Sequence, residues 1–372
     1  MAVETAKTDS VYMQRALELA AQGRGWTSPN PMTGAVVVKD DRIIGEGFLP
    51  GVGKDHAEAF ALDAAGEGAH GADLYVTMEP CTTCVRRIKE AGIARVILAT
   101  GDANALSSGR GIMALRDAGI PTALGDSAEA ARRLNEIYFR YVATKRPFVA
   151  IRSAMSLDGK IATTVGESQF ISGPEAEAHL QSLRATFDAV MLGINTILKD
   201  DPDPDCSLPR SRNPMRIVID SMARTPRTAK ILGKPGTGLL RAMTIVAVTK
   251  FAPEDRVRAL QAAGAEVLIV SEVGDRLDPH VDLNKLMQVL GRRGIASILV
   301  EGGANLNAAA LNAGIVEKLY MTVAPMILGG LAPTPVAGMG VTFVEEAQRL
   351  HRMHCSHLGQ DLLVEAYLRD ED

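Results

Sequence analysis

Hydrophobic positions in the first third of the chain switch between helical and strand periods. Residues 11–22 carry Ala, Leu and Met at helical spacing, and 33–38 with 42–47 predict two strands around the Lys39-Asp40-Asp41 turn. An Ala-rich helix is predicted over 56–65, a strand over 73–78, and a helix over 83–91 that stops at Gly92. A strand over 95–100 and a helix over 111–118, ended by Gly119 and Pro121, complete the series. Such an order predicts an α/β sheet with helices on both faces.

The pattern breaks over 143–147 and a new strand starts at Phe148, which predicts a boundary between domains 1–146 and 147–372. The second part has its own alternation. Strands are expected over 189–193, 216–220, 243–248, 266–270, 297–300 and 318–324, and helices over 174–185, 282–290 and 305–313. The acidic, Pro-rich run 200–205 predicts a loop. No internal repeat or low-complexity tract interrupts this order.

Composition narrows the classes. With 372 residues, 47% hydrophobic and 23% charged, the chain is a core-forming protein of about two domains rather than a disordered one. Four Cys are too few to staple a chain of this size. The net charge of −4 argues against a nonspecific nucleic-acid binder, yet leaves room for local cations that hold a small anion. The first residues lack an apolar leader and no run of 18 apolar residues exists, so neither secretion nor a membrane span is expected. A cytoplasmic, reducing compartment is the expectation, and there cysteines read best as metal ligands.

The sharpest chemical signal is His56-Ala57-Glu58 followed by Glu79-Pro80-Cys81-Thr82-Thr83-Cys84. H-x-E with P-C-x-x-C is the signature of zinc nucleobase deaminases. One imidazole and two thiolates supply three zinc ligands and leave a fourth position for water, whose pKa zinc lowers to about 7. Glu58, two residues beyond His56, is placed to shuttle a proton without ligating the metal. Cys81 and Cys84 open a predicted helix, where N–H groups and the helix dipole favour thiolate. Three other features are set aside. The tract His351, His354, Cys355 and His357 reads as a terminal strand without partner cysteines. Residues 47–54 miss the phosphate-loop spacing and carry Asp55 where Ser or Thr is needed. Cys206 lies in the acidic loop with no thiol to pair with.

At this point the chain resembles the bifunctional deaminase–reductases of riboflavin biosynthesis over nearly its whole length. The resemblance rests on Thr27-Ser28-Pro29-Asn30-Pro31, the H-A-E at 56–58, Tyr75 to Cys81, and Gly109-Arg110-Gly111-Ile112. In the second part it rests on Ser156-Leu157-Asp158-Gly159-Lys160, the segments 166–171 and 196–202, Val218-Ile219-Asp220-Ser221 and Glu301-Gly302-Gly303. It implies a cytidine-deaminase-like N-terminal domain and a dihydrofolate-reductase-like C-terminal domain. The first would hydrolyse the 2-amino group of a phosphoribosylamino-pyrimidinone to give a uracil. The second would use NADPH to reduce the ribosyl moiety to ribityl.

Carried over by position, the resemblance makes His56, Cys81 and Cys84 the Zn2+ ligands, Glu58 the proton shuttle and Asn30 a substrate-positioning residue. Ala154, Phe170, Thr196, Asp200 and the turn from Gly303 through Ala304 and Asn305 to Ala309 match NADPH-binding positions. Ser168, Arg184 and Glu301 match substrate-binding ones. Lys160 is a candidate cation for a ribose hydroxyl or phosphate. The resemblance also implies a homo-oligomer acting on a small phosphorylated pyrimidine, with no nucleic-acid or membrane partner.

Four departures from the family pattern concern phosphate handling. Only Thr82-Thr83 separate the zinc cysteines, where the family has a longer basic loop. Leu49 stands for a His, Pro204 for a Leu and Ser207 for an Arg. A Ser offers one hydroxyl in place of a bidentate clamp, with Arg210 and Arg212 a few residues on. These departures leave open the same chemistries on a related, dephosphorylated pyrimidine. H-A-E with P-C-x-x-C also suits a nucleic-acid deaminase of the tRNA-editing kind, and a non-enzymatic binding or regulatory protein with a degenerate second domain is the remaining alternative.

Overall fold

Successive residues of a strand face opposite ways, and Ala35-Val36-Val37-Val38 is buried throughout, so its sheet must be covered on both sides. The computed structural model describes residues 2–233 and 243–369. It divides into two units, Met1–Lys145 and Arg146–Asp372.

The first unit begins with α1 (Ala2–Ala21), β1 (Gly34–Lys39), β2 (Arg42–Phe48) and α2 (Ala57–Ala65). It continues through β3 (Asp73–Val76), α3 (Thr82–Glu90), β4 (Arg95–Leu98), α4 (Arg110–Asp117) and β5 (Thr122–Leu124). The helices α5 (Ala128–Leu134) and α6 (Glu136–Thr144) close it. Strand order is β2-β1-β3-β4-β5, antiparallel from β2 to β3 and parallel from β3 to β5. Val37, Leu74, Val76, Val96 and Leu98 share one face with Ala61 and Leu62 of α2, Val85 and Ile88 of α3 and Leu115 of α4. Val36, Tyr75 and Ile97 point the other way, onto Met13, Ala16 and Leu17 of α1 and Ala131 of α5.

Two glycines explain how closely α2 sits. A Cβ on Gly45 would lie 2.2 Å from Ala61 O, and one on Gly47 2.3 Å from Ala57 O. The G-x-G of β2 thus lets α2, with His56 at its N-cap, rest directly on the strand. Gly47 belongs to this contact and not to an anion loop.

The second unit opens with β6 (Phe148–Ser156), α7 (Pro174–Thr186), β7 (Ala189–Gly193), α8 (Ile194–Asp200) and β8 (Met215–Ile219). Then come β9 (Thr244–Val248), α9 (Glu254–Ala262), β10 (Glu266–Ile269), β11 (Glu272–Val273), β12 (His280–Val281) and α10 (Leu283–Arg292). It ends with β13 (Ser297–Gly302), α11 (Ala304–Asn312), β14 (Lys318–Ala324), β15 (His351–Leu358) and β16 (Asp361–Tyr367). Among the described residues nine strands pair in the order β10-β9-β8-β7-β13-β6-β14-β16-β15. From β10 to β14 all neighbours are parallel, and β16 and β15 add antiparallel. The parallel strands are near-continuous apolar runs because helices cover them: Met191, Ile217, Ile245 and Val300 pack with Leu286 and Leu290 of α10 and Leu306 of α11.

The acidic run expected as loop begins on the last residue of α8, since Asp200 is still helical. The tract 351–357 lies in β15, an edge strand. Among the described residues no helix is long and apolar enough to cross a membrane.

Candidate functional site

In the first unit α2 and α3 begin beside each other and bring three ligand atoms together. His56 is the N-cap of α2 and Cys81 the N-cap of α3, with Cys84 in the first turn of α3. His56 Nδ1 lies 3.2 Å from Cys84 Sγ and 3.6 Å from Cys81 Sγ, and the sulfurs are 3.2 Å apart. These edges suit one ion with ligand bonds of about 2.0–2.3 Å. It is the one group of His, Cys, Asp or Glu among the described residues that converges in this way.

The electrostatics favour a bound cation. The two thiols share a hydrogen bond at 3.2 Å, and Cys84 N–H donates to Cys81 Sγ at 3.4 Å. The hydrogen bonds with Cys84 and the neighbouring His56 drive the Cys81 thiol down to about 3, while its partner Cys84 is pushed up. Glu58 is 3% exposed in the first turn of α2, and burial pushes its carboxyl up. Asn30 stands exposed in the turn ahead of β1, its N–H on Thr27 O at 2.7 Å. Leu49 is buried, where the family pattern has a His.

A residue that sequence reading missed organises the cysteine loop. Glu79 is buried, and its carboxylate accepts from Gly111 N (2.7 Å), Gly109 N (2.9 Å), Ile112 N (3.1 Å) and Asp102 N (3.2 Å). Two residues before Cys81, it fastens the start of α4 to the metal-ligand segment. Gly111 fits there because it lacks a Cβ, which would lie 1.9 Å from Pro80 O.

In the second unit a cleft of about 1600 Å³ opens at the carboxyl ends of β6, β7, β8 and β13, where parallel sheets bind ligands. Ala154, Phe170, Thr196, Asp200, Gly303, Ala304 and Asn305 all line it, as do Ser168 and Glu301. Lys160 and Arg184 do not. Arg184 meets the cleft through Glu301, which it grips at 2.8 and 2.7 Å, while its Nη1 holds Asp203 O and Asp205 O at 3.5 and 3.2 Å. The Gly302-Gly303 turn is a cradle that a side chain would fill. Gly303 has φ +82°, and a Cβ there would lie 2.9 Å from Thr196 Oγ1. The N–H groups that open α11 follow it, the usual setting for a pyrophosphate.

Arg152, also unforeseen, lines the cleft from β6; its Nη2 is buried without a hydrogen-bond partner and burial pushes its pKa down. Its signal was a lone cation ending the apolar run Phe148-Val149-Ala150-Ile151. Of the two cations near Ser207, Arg212 is committed to Asp188 at 2.6 Å and Arg210 is exposed. Cys206 has no thiol partner, but its backbone N–H holds Asn213 Oδ1 at 3.0 Å and its thiol donates to Gln181 O at 3.3 Å.

Comparison with known proteins brings both units together. Residues 6–100 match the cytidine and deoxycytidylate deaminase zinc-binding region, and 147–364 match the RibD C-terminal domain. The chain is 38% identical to riboflavin biosynthesis protein RibD of Actinobacillus pleuropneumoniae over 365 residues, 96% of this chain and 95% of that protein. Acinetobacter baumannii RibD, form 1, is 34% identical with a TM-score of 0.84, over 97% of this chain and 99% of that one. A diaminohydroxyphosphoribosylaminopyrimidine deaminase/5-amino-6-(5-phosphoribosylamino)uracil reductase from Thermotoga maritima is 30% identical. Its TM-score is 0.84, over 98% of this chain and 99% of that one.

Proposed function

The chain belongs to the RibD family of riboflavin-biosynthesis enzymes, and on that premise we propose how its residues divide two reactions. It is a bifunctional enzyme, a zinc-dependent deaminase with a cytidine-deaminase-like fold and an NADPH-dependent reductase with a dihydrofolate-reductase-like fold. The first reaction deaminates 2,5-diamino-6-(5-phosphoribosylamino)pyrimidin-4-one, and the second reduces the ribosyl chain of the resulting uracil to ribityl. We assign deamination to residues 1–146 and reduction to 147–372. The observation that carries this is the convergence of His56, Cys81 and Cys84 beside the buried Glu58.

His56 Nδ1 and the sulfurs of Cys81 and Cys84 would hold the zinc. Bound there, zinc supplies the Lewis acidity that makes water a nucleophile at neutral pH. Glu58 takes the proton from the attacking water and returns it to the departing amine, its buried carboxyl being poised to carry one. Asn30 orients the pyrimidine. In the reductase NADPH supplies the hydride. The N–H groups after Gly303, at Ala304 and Asn305, would hold its pyrophosphate, and Ala154, Phe170, Thr196 and Asp200 would shape the remaining wall. Ser168 and Glu301 face the substrate, Arg184 steadies Glu301, and Lys160 serves the sugar or phosphate from outside the cleft lining.

The reading includes a homo-oligomeric, cytoplasmic enzyme with no nucleic-acid or membrane partner. The net charge of −4 supports its nucleic-acid part. A dephosphorylated pyrimidine is the second substrate reading, favoured by Ser207 and by the commitment of Arg212 to Asp188. Ammonia release from the diamino pyrimidine followed by NADPH oxidation in one vessel tests the whole. Equal rates on phosphorylated and dephosphorylated substrate would remove the phosphate-dependent version.

A further inference from the structure

We infer that Arg224 and Arg276 bind the 2′-phosphate of NADPH and so set its preference over NADH, an inference that rests on the cofactor reading above. The cleft continues past the strands that carry the pyrophosphate cradle. In the order β13-β7-β8, β8 lies two strands from that cradle, about 10 Å at a strand spacing of about 4.8 Å. This puts the end of β8 within reach of the adenosine half of a dinucleotide. Arg224, four residues beyond Asp220, lines the cleft there, and so does Arg276 from the turn between β11 and β12. Ser221 joins the two segments into one wall, because its Oγ accepts from Val281 N of β12 at 3.3 Å.

The chemistry of this wall suits a phosphate better than a ribose diol. An NADH site presents a carboxylate at the end of such a strand, whereas an NADPH site presents a cation. Asp220 is fully buried, and its Oδ2 is taken by Thr225 N and Thr225 Oγ1, both at 2.7 Å. Asp278, in the same turn as Arg276, is bonded to His280 Nε2 at 3.1 Å. Arg224 is half exposed; its Nε leans toward Asp220 at 4.0 Å and its Nη2 reaches Asn195 Oδ1 at 3.4 Å. Arg276 is exposed. Two planar guanidinium forks on one wall match the oxygens of a phosphate monoester dianion, which NADH lacks.

Calorimetric titration of the full-length protein with 2′,5′-ADP and with 5′-ADP reads this directly. The wild type should bind 2′,5′-ADP at least about tenfold more tightly, a difference of about 1.4 kcal/mol. R224A/R276A should bind the two nucleotides alike with its 5′-ADP affinity unchanged, which also shows that the cleft remains folded. R224K/R276K should regain part of the preference. A double alanine variant that still prefers 2′,5′-ADP overturns the inference and leaves the cofactor reading standing. A wild type that binds neither nucleotide removes both.

Discussion

Arg184 and Glu301 hold each other by two parallel hydrogen bonds, Nε to Oε1 at 2.8 Å and Nη2 to Oε2 at 2.7 Å, with side chains 11% and 7% exposed. α7 and β13 are thereby joined at the cleft wall, and the backbone carbonyls of Asp203 and Asp205 are drawn onto the same guanidinium. Removing one partner strands the other charge in a poorly hydrated site. Arg184→Ala should therefore lower stability by about 3 kcal/mol in urea titration and should also slow reduction. Arg184→Lys should recover little, because an ammonium cannot form both bonds. A variant as stable as the wild type would show that the pair is dispensable.

Glu79 makes a second test independent of the metal ligands. Glu79→Ala leaves four backbone N–H groups without their acceptor, at a cost of about 3 kcal/mol. Ammonia release should fall as the start of α4 separates from the cysteine loop, while reduction of pre-deaminated substrate continues. Urea unfolding and the two assays run on one preparation check both halves.

His179 gives a pH dependence with a definite sign. Burial pushes its pKa below the ordinary 6.5; Arg152 and Lys318 press the same way and Glu365 opposes them. Below pH 6.5 the unfolded chain takes up a proton that the folded one resists. Its contribution is thus whole above that pH and is lost as pH falls toward the folded pKa. Stability measured between about pH 5 and pH 7 should decline on the acid side, and His179→Gln should flatten the decline. An unchanged slope in the variant would assign it to other groups.

Much of this was legible in the chain because period and burial agree. The strands around Val36, Ile217 and Ile298 were readable as apolar runs, and both helices, capped by His56 and Cys81, were foreseen. Several elements were not foreseen, and three of them have weak local signals. β5 is three residues long with its last two exposed, α8 follows β7 without a break, and α9 buries Leu260 alone. Glu79 was passed over because its partners are backbone N–H groups, which no sequence pattern displays. Arg184 came forward as a substrate-binding position through the resemblance alone, and its hold on Glu301, more than a hundred residues away, is one that no local pattern displays.

Deamination is proposed to depend on an ion held by His56, Cys81 and Cys84, with Glu58 beside it as proton carrier. The most direct measurement is zinc content and ammonia release on the same sample, before and after chelation, for wild type and Glu58→Gln. One zinc per chain in both proteins is expected. Chelation should abolish ammonia release by the wild type, and Glu58→Gln should release it at least about a hundredfold more slowly, with reduction of pre-deaminated substrate intact in each case. Metal-free protein that deaminates at full rate would contradict it.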